Sequence, residues 1–321
     1  MPTPACSGNP YGVPVPDLSF TLQPAPPFRL DLTAWALRRR SHNQVDRWDG
    51  GTYRRVLVVA EQPVEVALTQ NGPADAPRLQ VRATGAELPP AGETALAATL
   101  TRMLGLDVDL AEFYRLAARD PRLHELAQRF RGVKPPRFPT LFEALVNGVA
   151  CQQLSLTVGI HLLNRLAAAF GLRFPAAAGP AAAFPRPREL AGRQPEEFRS
   201  LGFSFSKGRT LISLSQEIIA GRVDLESLPE QDDDQVSRYL QTLKGIGRWT
   251  AEYALLRGLG RLHVFPGDDV GARHRLQDWL ELSEPLNYAG VRRVLARWHP
   301  FGGLVYFHFL LSHLADEGQL A

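Results

Sequence analysis

Residues 243–269 read LKGIGRWTAEYALLRGLGRLHVFPGDD, and this stretch decides how the rest of the chain is interpreted. It opens with a Gly-Ile-Gly turn at residues 245–247, runs into a helical segment that carries aromatic residues, and ends in the paired acids Asp268 and Asp269. Two glycines around one apolar residue allow a tight turn with exposed backbone N–H groups. Such groups at the start of a helix form a site for an anion such as phosphate. The stretch therefore predicts a phosphate contact beside an aromatic helix, with a carboxylate downstream.

Composition limits the classes of protein to which the chain can belong. The chain has 321 residues, 45% of them hydrophobic and 21% charged, so we expect two or three packed units of a globular protein. Its net charge of +3 suits a polyanionic partner and equally an ordinary basic enzyme. With only Cys6 and Cys151, an intrachain disulfide framework, a four-cysteine zinc site and a four-cysteine iron–sulfur cluster are excluded. Without a signal peptide or a long apolar run, we expect a cytoplasmic protein that does not enter a membrane.

The pattern of elements changes along the chain. Residues 1–22 are rich in proline and small residues and are predicted to form a mobile tail. Residues 23–107 contain strand-like segments at 53–59, 64–68 and 79–83 with helical segments around them, which indicates an α+β domain with an antiparallel sheet. Residues 108–321 show helical patterns, including two consecutive helices on either side of the Gly-Ile-Gly turn.

Three features together give the chain a resemblance to a known family. The run Leu243–Ala251, the position of Asp269 twenty residues after Trp249, and the turn Cys151–Ser155 resemble the helix-hairpin-helix DNA glycosylases. Within that superfamily the resemblance points to the DNA-3-methyladenine glycosylase II family and covers nearly the whole chain. It implies an N-terminal α+β domain before an all-α glycosylase core. In that core two helical subdomains enclose the active-site cleft, with the hairpin at 243–250.

The chemistry of base removal assigns roles to the DNA-facing residues. An enzyme that cuts a base from duplex DNA must first flip it out of the stack, at a cost of a few kcal/mol, so it needs a grip on the backbone and a plug for the vacated space. Leu154 is the predicted plug because an apolar wedge needs no hydrogen-bond partner, and Gln153 is the alternative. A core leucine beside a solvated glutamine would look the same. The predicted DNA-binding residues are Gln153, Leu154, Gly245, Ile246, Gly247 and Arg248.

The base pocket and the catalytic acid follow the turn. Trp249 and Tyr253 lie four residues apart and share a helix face, so their electron-rich rings suit a positively charged alkylated base, although two core aromatics would show the same spacing. Asp269 is predicted to be the catalytic residue that stabilises positive charge on the sugar. Asp268 is the competing assignment, expected instead to cap a helix or to be solvated.

Position 249 separates reaction subtypes. Relatives that resemble endonuclease III carry a lysine there, which forms a Schiff base with the sugar, whereas this chain has Trp249. We therefore predict a monofunctional glycosylase that excises alkylated purines such as 3-methyladenine by hydrolysis, in base excision repair. The alternatives are a glycosylase for deaminated or oxidised purines, a non-catalytic damaged-DNA-binding protein, and a helical protein without a role on DNA.

The remaining expectations concern partners and the far wall of the pocket. We expect a monomer that binds damaged double-stranded DNA and has no metal site and no cofactor. The resemblance also implies a monovalent cation between the hairpin carbonyls and a phosphate. Leu310 falls where the family carries a second pocket tryptophan, which leaves the range of substrates open. Trp298, Tyr306 and His308 are candidates for the far wall, with core packing as the default for Trp298 and Tyr306.

Overall fold

The computed structural model describes residues 17–85, 87–176 and 179–320. Its N-terminal part is an antiparallel sheet with strand order β1-β5-β4-β3-β2. The strands are β1 (Asp17–Leu22), β2 (Arg47–Trp48), β3 (Thr52–Val59), β4 (Gln62–Asn71) and β5 (Arg78–Thr84). The three predicted strand segments therefore correspond to β3, β4 and β5. Residues 17–22 correct the expectation of a mobile tail over 1–22, because β1 pairs with β5 from Asp17 to Leu22; residues 1–16 lie outside the described part.

Two helices cover the sheet. They are α1 (Leu30–Arg38) and α2 (Pro90–Leu104), and the apolar side chains between them and the strands include Leu37, Val66 and Leu100. Gly105 ends α2 with φ +61, a left-handed conformation that favours glycine. Burial of alternate strand residues under these helices gives the N-terminal domain its own core.

Helices form the rest of the described chain, apart from a small antiparallel ribbon of β6 (Arg173–Ala176) and β7 (Gly179–Ala182). The sequence had indicated only helical patterns in residues 108–321, so this ribbon was not predicted. The helices are α3 (Ala111–Ala117), α4 (Pro121–Arg129), α5 (Leu141–Cys151), α6 (Leu156–Phe170), α7 (Pro187–Leu190), α8 (Pro195–Ser200), α9 (Phe205–Ile219), α10 (Asp233–Thr242), α11 (Arg248–Ala254), α12 (Val270–Trp279), α13 (Tyr288–Leu295) and α14 (Gly302–Asp316).

The helices bury their apolar residues in two separate cores. One core joins α5, α6 and α8–α11 around residues such as Leu145, Leu211 and Leu240. The other joins α3, α4 and α12–α14, and Trp35 of α1 contributes to it. An α+β domain followed by an all-α region confirms the predicted fold class. The boundary between the two cores opens into the cleft described below.

A buried ionic network ties the sheet to the helices. Arg55 of β3 donates to Asp46 at 2.7 Å and to Glu143 of α5 at 2.6 Å, and all three side chains are almost fully buried. Thr140 caps α5 by accepting from the Glu143 N–H at 3.1 Å, as the sequence Thr-Leu-Phe-Glu indicates. The reciprocal half of a capping box is not formed among the described residues, because the Glu143 carboxylate binds Arg55 instead of returning to the Thr140 N–H.

Candidate active site

The hairpin between α10 and α11 has the tight geometry that its glycines predict. Gly245 has φ +84, and a Cβ placed there would lie 2.2 Å from the Oγ1 atom of Thr210, so the position requires glycine. Ile246 is 4% exposed and anchors the turn in the helical core. Gly247 precedes α11 with open space around it. Among the residues that the structure describes, the N–H groups of Gly245 and Gly247 have no acceptor, so both are available to an external anion.

A cleft of about 890 Å³ separates the two helical cores. It is lined by the end of α1, the turn between α5 and α6, the start of α11, the start of α12, and α14. Most of the predicted site residues meet here, whereas Gly245 and Ile246 lie outside the lining. The predicted residues in the lining are Gln153, Leu154, Gly247, Arg248, Trp249, Tyr253 and Asp269.

Trp249 and Tyr253 form an aromatic wall of the cleft. Their rings are stacked, with centroids 5.4 Å apart and planes at 26°. Tyr253 is nearly buried, and its hydroxyl accepts a hydrogen bond from Arg39 Nη1 at 2.9 Å. Burial raises the pKa of Tyr253, so the phenol stays neutral at physiological pH. Trp249 therefore presents its ring beside a neutral, firmly held neighbour.

Three buried arginines, Arg39, Arg40 and Arg257, bring positive charge to the cleft, and sequence reasoning missed all three. Arg39 ends α1 in a left-handed conformation, φ +62, and donates to Asn147 Oδ1 at 2.6 Å as well as to Tyr253. Arg257 donates to the Ala36 carbonyl at 3.0 Å and is 1% exposed. Burial lowers the pKa of Arg257, although a guanidinium remains charged at neutral pH. No local pattern distinguishes these residues from the many surface arginines.

The Asp269 carboxylate accepts hydrogen bonds from three elements. Its Oδ1 atom accepts from the Ala272 N–H at 2.9 Å and so caps α12. Its Oδ2 atom accepts from Tyr306 Oη at 3.0 Å and from Trp249 Nε1 at 3.4 Å. Asp268, expected to cap a helix or to be solvated, pairs with Arg248, Oδ2 to Nε 2.6 Å, and its side chain is 31% exposed. The sequence had not indicated α12, so it did not predict the cap that Asp269 makes; the catalytic role of Asp269 stays a prediction.

Glu252 fixes the backbone that leads to the acids. Its carboxylate accepts from the Gly267 N–H at 3.0 Å and from the Tyr288 hydroxyl at 2.5 Å, and it is 8% exposed. Burial raises the pKa of Glu252. Because Glu252 lies on α11, one turn of helix sets both the aromatic wall and the Pro266-Gly267 approach to Asp269.

The turn between α5 and α6 is braced from two sides. Gln152 Nε2 donates to the Gly245 carbonyl at 3.0 Å and to Thr250 Oγ1 at 2.9 Å, which links this turn to the hairpin. Lys207 Nζ donates to the carbonyls of Ala150 at 3.0 Å and Gln152 at 2.7 Å. Gln153 has φ +55, and Leu154 is 43% exposed. Both candidate plugs therefore stand on a rigid turn at the cleft.

The far wall of the cleft contains some of the residues expected there but not all of them. Tyr306 and Leu310 of α14 line the cleft, but Trp298 and His308 pack in the core. Trp298 Nε1 donates to Asp120 at 2.9 Å, and His308 lies against Phe113. Burial lowers the pKa of His308 to about 4, so this side chain is neutral. Trp298 therefore packs in the core, as expected by default. Tyr306 also packs against this core, and in addition its hydroxyl contacts Asp269.

Comparison with known proteins places this arrangement in a family. Residues 146–300 match the HhH-GPD superfamily base excision DNA repair protein model, and residues 19–139 match the AlkA N-terminal domain. The helical region at residues 146–300 belongs to the HhH-GPD superfamily. The resemblance to DNA-3-methyladenine glycosylases is thereby confirmed, with an N-terminal domain of the AlkA type in front of the superfamily's helical region.

Individual relatives agree with this assignment. A DNA-3-methyladenine glycosylase of Bacillus subtilis is 32% identical over 172 residues, 54% of this chain and 57% of the relative. The Escherichia coli DNA-3-methyladenine glycosylase 2 is 31% identical over 180 residues, 55% of this chain and 59% of the relative. The matches thus span little more than half the length of these HhH-GPD relatives.

Solved structures extend the likeness in fold. A 3-methyladenine DNA glycosylase from Archaeoglobus fulgidus superposes with a TM-score of 0.79 at 24% identity, covering 91% of this chain and 97% of that one. A Schizosaccharomyces pombe 3-methyladenine DNA glycosylase, solved with abasic DNA, gives 0.55 at 27% identity and covers 65% of this chain and 98% of that one. The first superposition covers both the N-terminal domain and the helical region, so the two together have a counterpart in one solved fold.

Two further findings concern metal binding and membrane-spanning helices. The described residues contain no cluster of three or more His, Cys, Asp or Glu side chains that could hold a metal ion. Among the described helices none is long and apolar enough to cross a bilayer.

Proposed function

We propose that this protein is a monofunctional DNA glycosylase that flips alkylated purines such as 3-methyladenine out of duplex DNA and hydrolyses their N-glycosidic bond. The observation that carries the proposal is the position of the Asp269 carboxylate, held within hydrogen-bond reach of Trp249 in a cleft that Gly247 of the hairpin also lines. Membership of a base excision repair superfamily supports the same reaction class.

The proposed chemistry needs few groups. The C1′–N bond breaks with its electron pair leaving on the base, and water supplies the oxygen that bonds to C1′. Positive charge develops on the sugar in the transition state, and the Asp269 carboxylate stabilises that charge. A base that already carries a positive charge leaves readily, and the stacked faces of Trp249 and Tyr253 attract it by about 0.5–2 kcal/mol.

Hydrolysis without a covalent enzyme intermediate is part of the proposal. A lyase needs an amine to attack C1′, and among the described residues that line the cleft none is a lysine. Lys207 is the nearest such group to the α5–α6 turn, and its Nζ is engaged by two backbone carbonyls. We therefore expect no strand cleavage and no borohydride-trapped complex.

The partner in this proposal is damaged double-stranded DNA, bound by one copy of the protein. The free N–H groups of Gly245 and Gly247 would hold a phosphate, a contact that positions the duplex without reading its sequence. A monovalent cation at the hairpin carbonyls is part of the same hypothesis. The Gly245 carbonyl already accepts from Gln152, so a cation would share that oxygen.

A second substrate class is favoured by a specific observation. Arg39 and Arg257 are buried cations in the lining, and repulsion from them works against a positively charged base. Leu310 leaves that side of the cleft without an aromatic ring. Neutral deaminated or oxidised purines, which present carbonyl oxygens to guanidinium groups, are therefore the alternative substrates. Release of hypoxanthine compared with release of methylated purines separates the two.

The decisive experiment is base release from methylated duplex DNA by the parent and by Asp269→Asn. Loss of the carboxylate charge should slow release by about 100-fold or more, because it removes electrostatic stabilisation present only in the transition state. Asp268→Asn is the matched variant: it removes the neighbouring charge, which pairs with Arg248, and should retain most of the rate. Undiminished release by Asp269→Asn would remove Asp269 from the mechanism. A parent that binds abasic-analogue DNA but releases no base would point to a non-catalytic damage sensor.

A further inference from the structure

Tyr306 is the one cleft residue of α14 that contacts the proposed catalytic carboxylate in the described structure. Its hydroxyl lies 3.0 Å from Asp269 Oδ2, closer than the indole nitrogen of Trp249 at 3.4 Å. The other oxygen of Asp269 is fixed by the Ala272 N–H. Of the two donors to Oδ2, Tyr306 therefore makes the contact with the better hydrogen-bond geometry.

The surroundings of Tyr306 keep it a donor. Its ring packs edge-on against Phe265, with centroids 5.5 Å apart and planes at 87°, so the phenol cannot swing away without disturbing that packing. Burial and the adjacent Asp269 carboxylate raise the pKa of Tyr306 well above its ordinary value. The hydroxyl therefore carries its proton throughout the range in which the enzyme would work, and it donates to Oδ2.

We propose that Tyr306 is a positioning residue that fixes the Oδ2 atom of Asp269 against the sugar of the flipped nucleotide. The proposal rests on the function argued above. The two carboxylate oxygens turn together about the Cβ–Cγ bond, and the Ala272 N–H on Oδ1 with the long Trp249 contact on Oδ2 constrains that rotation only loosely. The Tyr306 hydroxyl, a donor from the opposite helix at 3.0 Å, fixes the carboxylate plane. A fixed carboxylate stabilises developing charge better than one that must reorient during the reaction. Tyr306 does not itself touch the reacting atoms in this scheme.

Tyr306→Phe is the test because it keeps the ring and its packing and removes only the hydroxyl. Tyr114→Phe is the matched control: the Tyr114 hydroxyl also makes one hydrogen bond, from the Gly132 N–H at 2.9 Å, and lies outside the cleft. Single-turnover release of a methylated purine should slow about tenfold in Tyr306→Phe, the effect of losing a hydrogen bond to a charged group, with half-saturating concentration within about twofold of the parent. Tyr114→Phe should match the parent in both.

The relative affinity for two abasic analogues is a measurement that a simple loss of packing would not change. One analogue has a cationic pyrrolidine in place of the sugar, and the other has a neutral tetrahydrofuran. The parent should prefer the cationic analogue because Asp269 faces it, and Tyr306→Phe should lose most of that preference while binding the neutral analogue as the parent does.

The outcomes are distinct. The positioning role would be overturned if Tyr306→Phe lost affinity for both analogues by the same factor, or if it released the base as fast as Tyr114→Phe does. In either case Asp269→Asn would still test the proposed function. A parent that releases no base and shows no preference for the cationic analogue would instead overturn the proposed function, and the role of Tyr306 with it.

Discussion

The two sides of the cleft are built in opposite ways. The hairpin wall, defined here as Gly247, Arg248, Trp249, Tyr253 and Asp269, comes from one short stretch of chain. The composite wall, defined as Arg39, Tyr306 and Leu310, comes from α1 near one end of the chain and α14 near the other. A local pattern can specify the first wall, whereas only the docking of distant elements creates the second. The hydrogen bonds from Arg39 to Tyr253 and from Tyr306 to Asp269 are where the two walls meet.

The largest expected effect comes from breaking the network that docks the sheet domain, and with it α1, onto the helices. Arg55→Met leaves the buried carboxylates of Asp46 and Glu143 without their cation. Removing one partner from a buried ion pair costs about 3–5 kcal/mol, so the free energy of unfolding should fall by that amount. Urea denaturation followed by circular dichroism measures it.

The neighbouring residue of β3 provides the control. Arg54 is 39% exposed and lies 3.7 Å from Asp49, an exposed pair, so Arg54→Met should change stability by less than about 1 kcal/mol. Equal stability of the two variants would mean that the network does not hold the composite wall in place.

The second prediction concerns the hairpin wall and separates its two glycines. Gly245→Ala must accept φ +84 and a Cβ that lies 2.2 Å from Thr210, which should cost about 1–3 kcal/mol of stability. Gly247→Ala has an extended backbone and nothing within 4 Å of its Cβ, so stability should stay within about 1 kcal/mol of the parent. Thermal unfolding of the pair measures the difference. Similar losses in both variants would contradict the geometry of the turn.

The same contrast explains how much the sequence could predict. Strands β3, β4 and β5, the hairpin and the caps at Asp120, Thr140 and Ser155 follow from patterns a few residues long, and the structure has them. The helix after Asp269 was missed because its first turn carries little apolar periodicity, so the cap that Asp269 makes was not expected. The domain limit at 107, like the roles of the site residues, stays a prediction.

The sequence could name Tyr306 and Leu310 of the composite wall as candidates, but it could not predict Arg39 or the contact between Tyr306 and Asp269. Arg39 is one of three consecutive arginines, and only the left-handed end of α1 aims it at Tyr253 while Arg38 and Arg40 bind elsewhere. Tyr306 lies in an apolar helix in which any aromatic residue would be read as core. A buried polar contact across more than 200 residues leaves no periodic trace in the chain.

The smallest expected effect concerns the plug, which stands on the α5–α6 turn between the walls. Leu154→Ala should slow base release from fully paired duplex about tenfold, because an apolar wedge no longer replaces the lost stacking. The effect should vanish on a lesion opposite an unpaired stretch, where the base is already unstacked. Single-turnover release from the two substrates measures the difference.

Gln153 is the competing plug, and its backbone dictates the variant that tests it. Glycine adopts φ +55 without strain, so Gln153→Gly removes the whole side chain while the turn can keep its conformation. If Leu154 is the plug, the rate at which Gln153→Gly releases the base from paired duplex should lie within about threefold of the parent rate. That difference corresponds to an increase of under about 1 kcal/mol in the activation free energy. A tenfold loss in Gln153→Gly with none in Leu154→Ala would assign the plug to Gln153, because the left-handed residue at the tip of a braced turn then projects furthest toward the duplex.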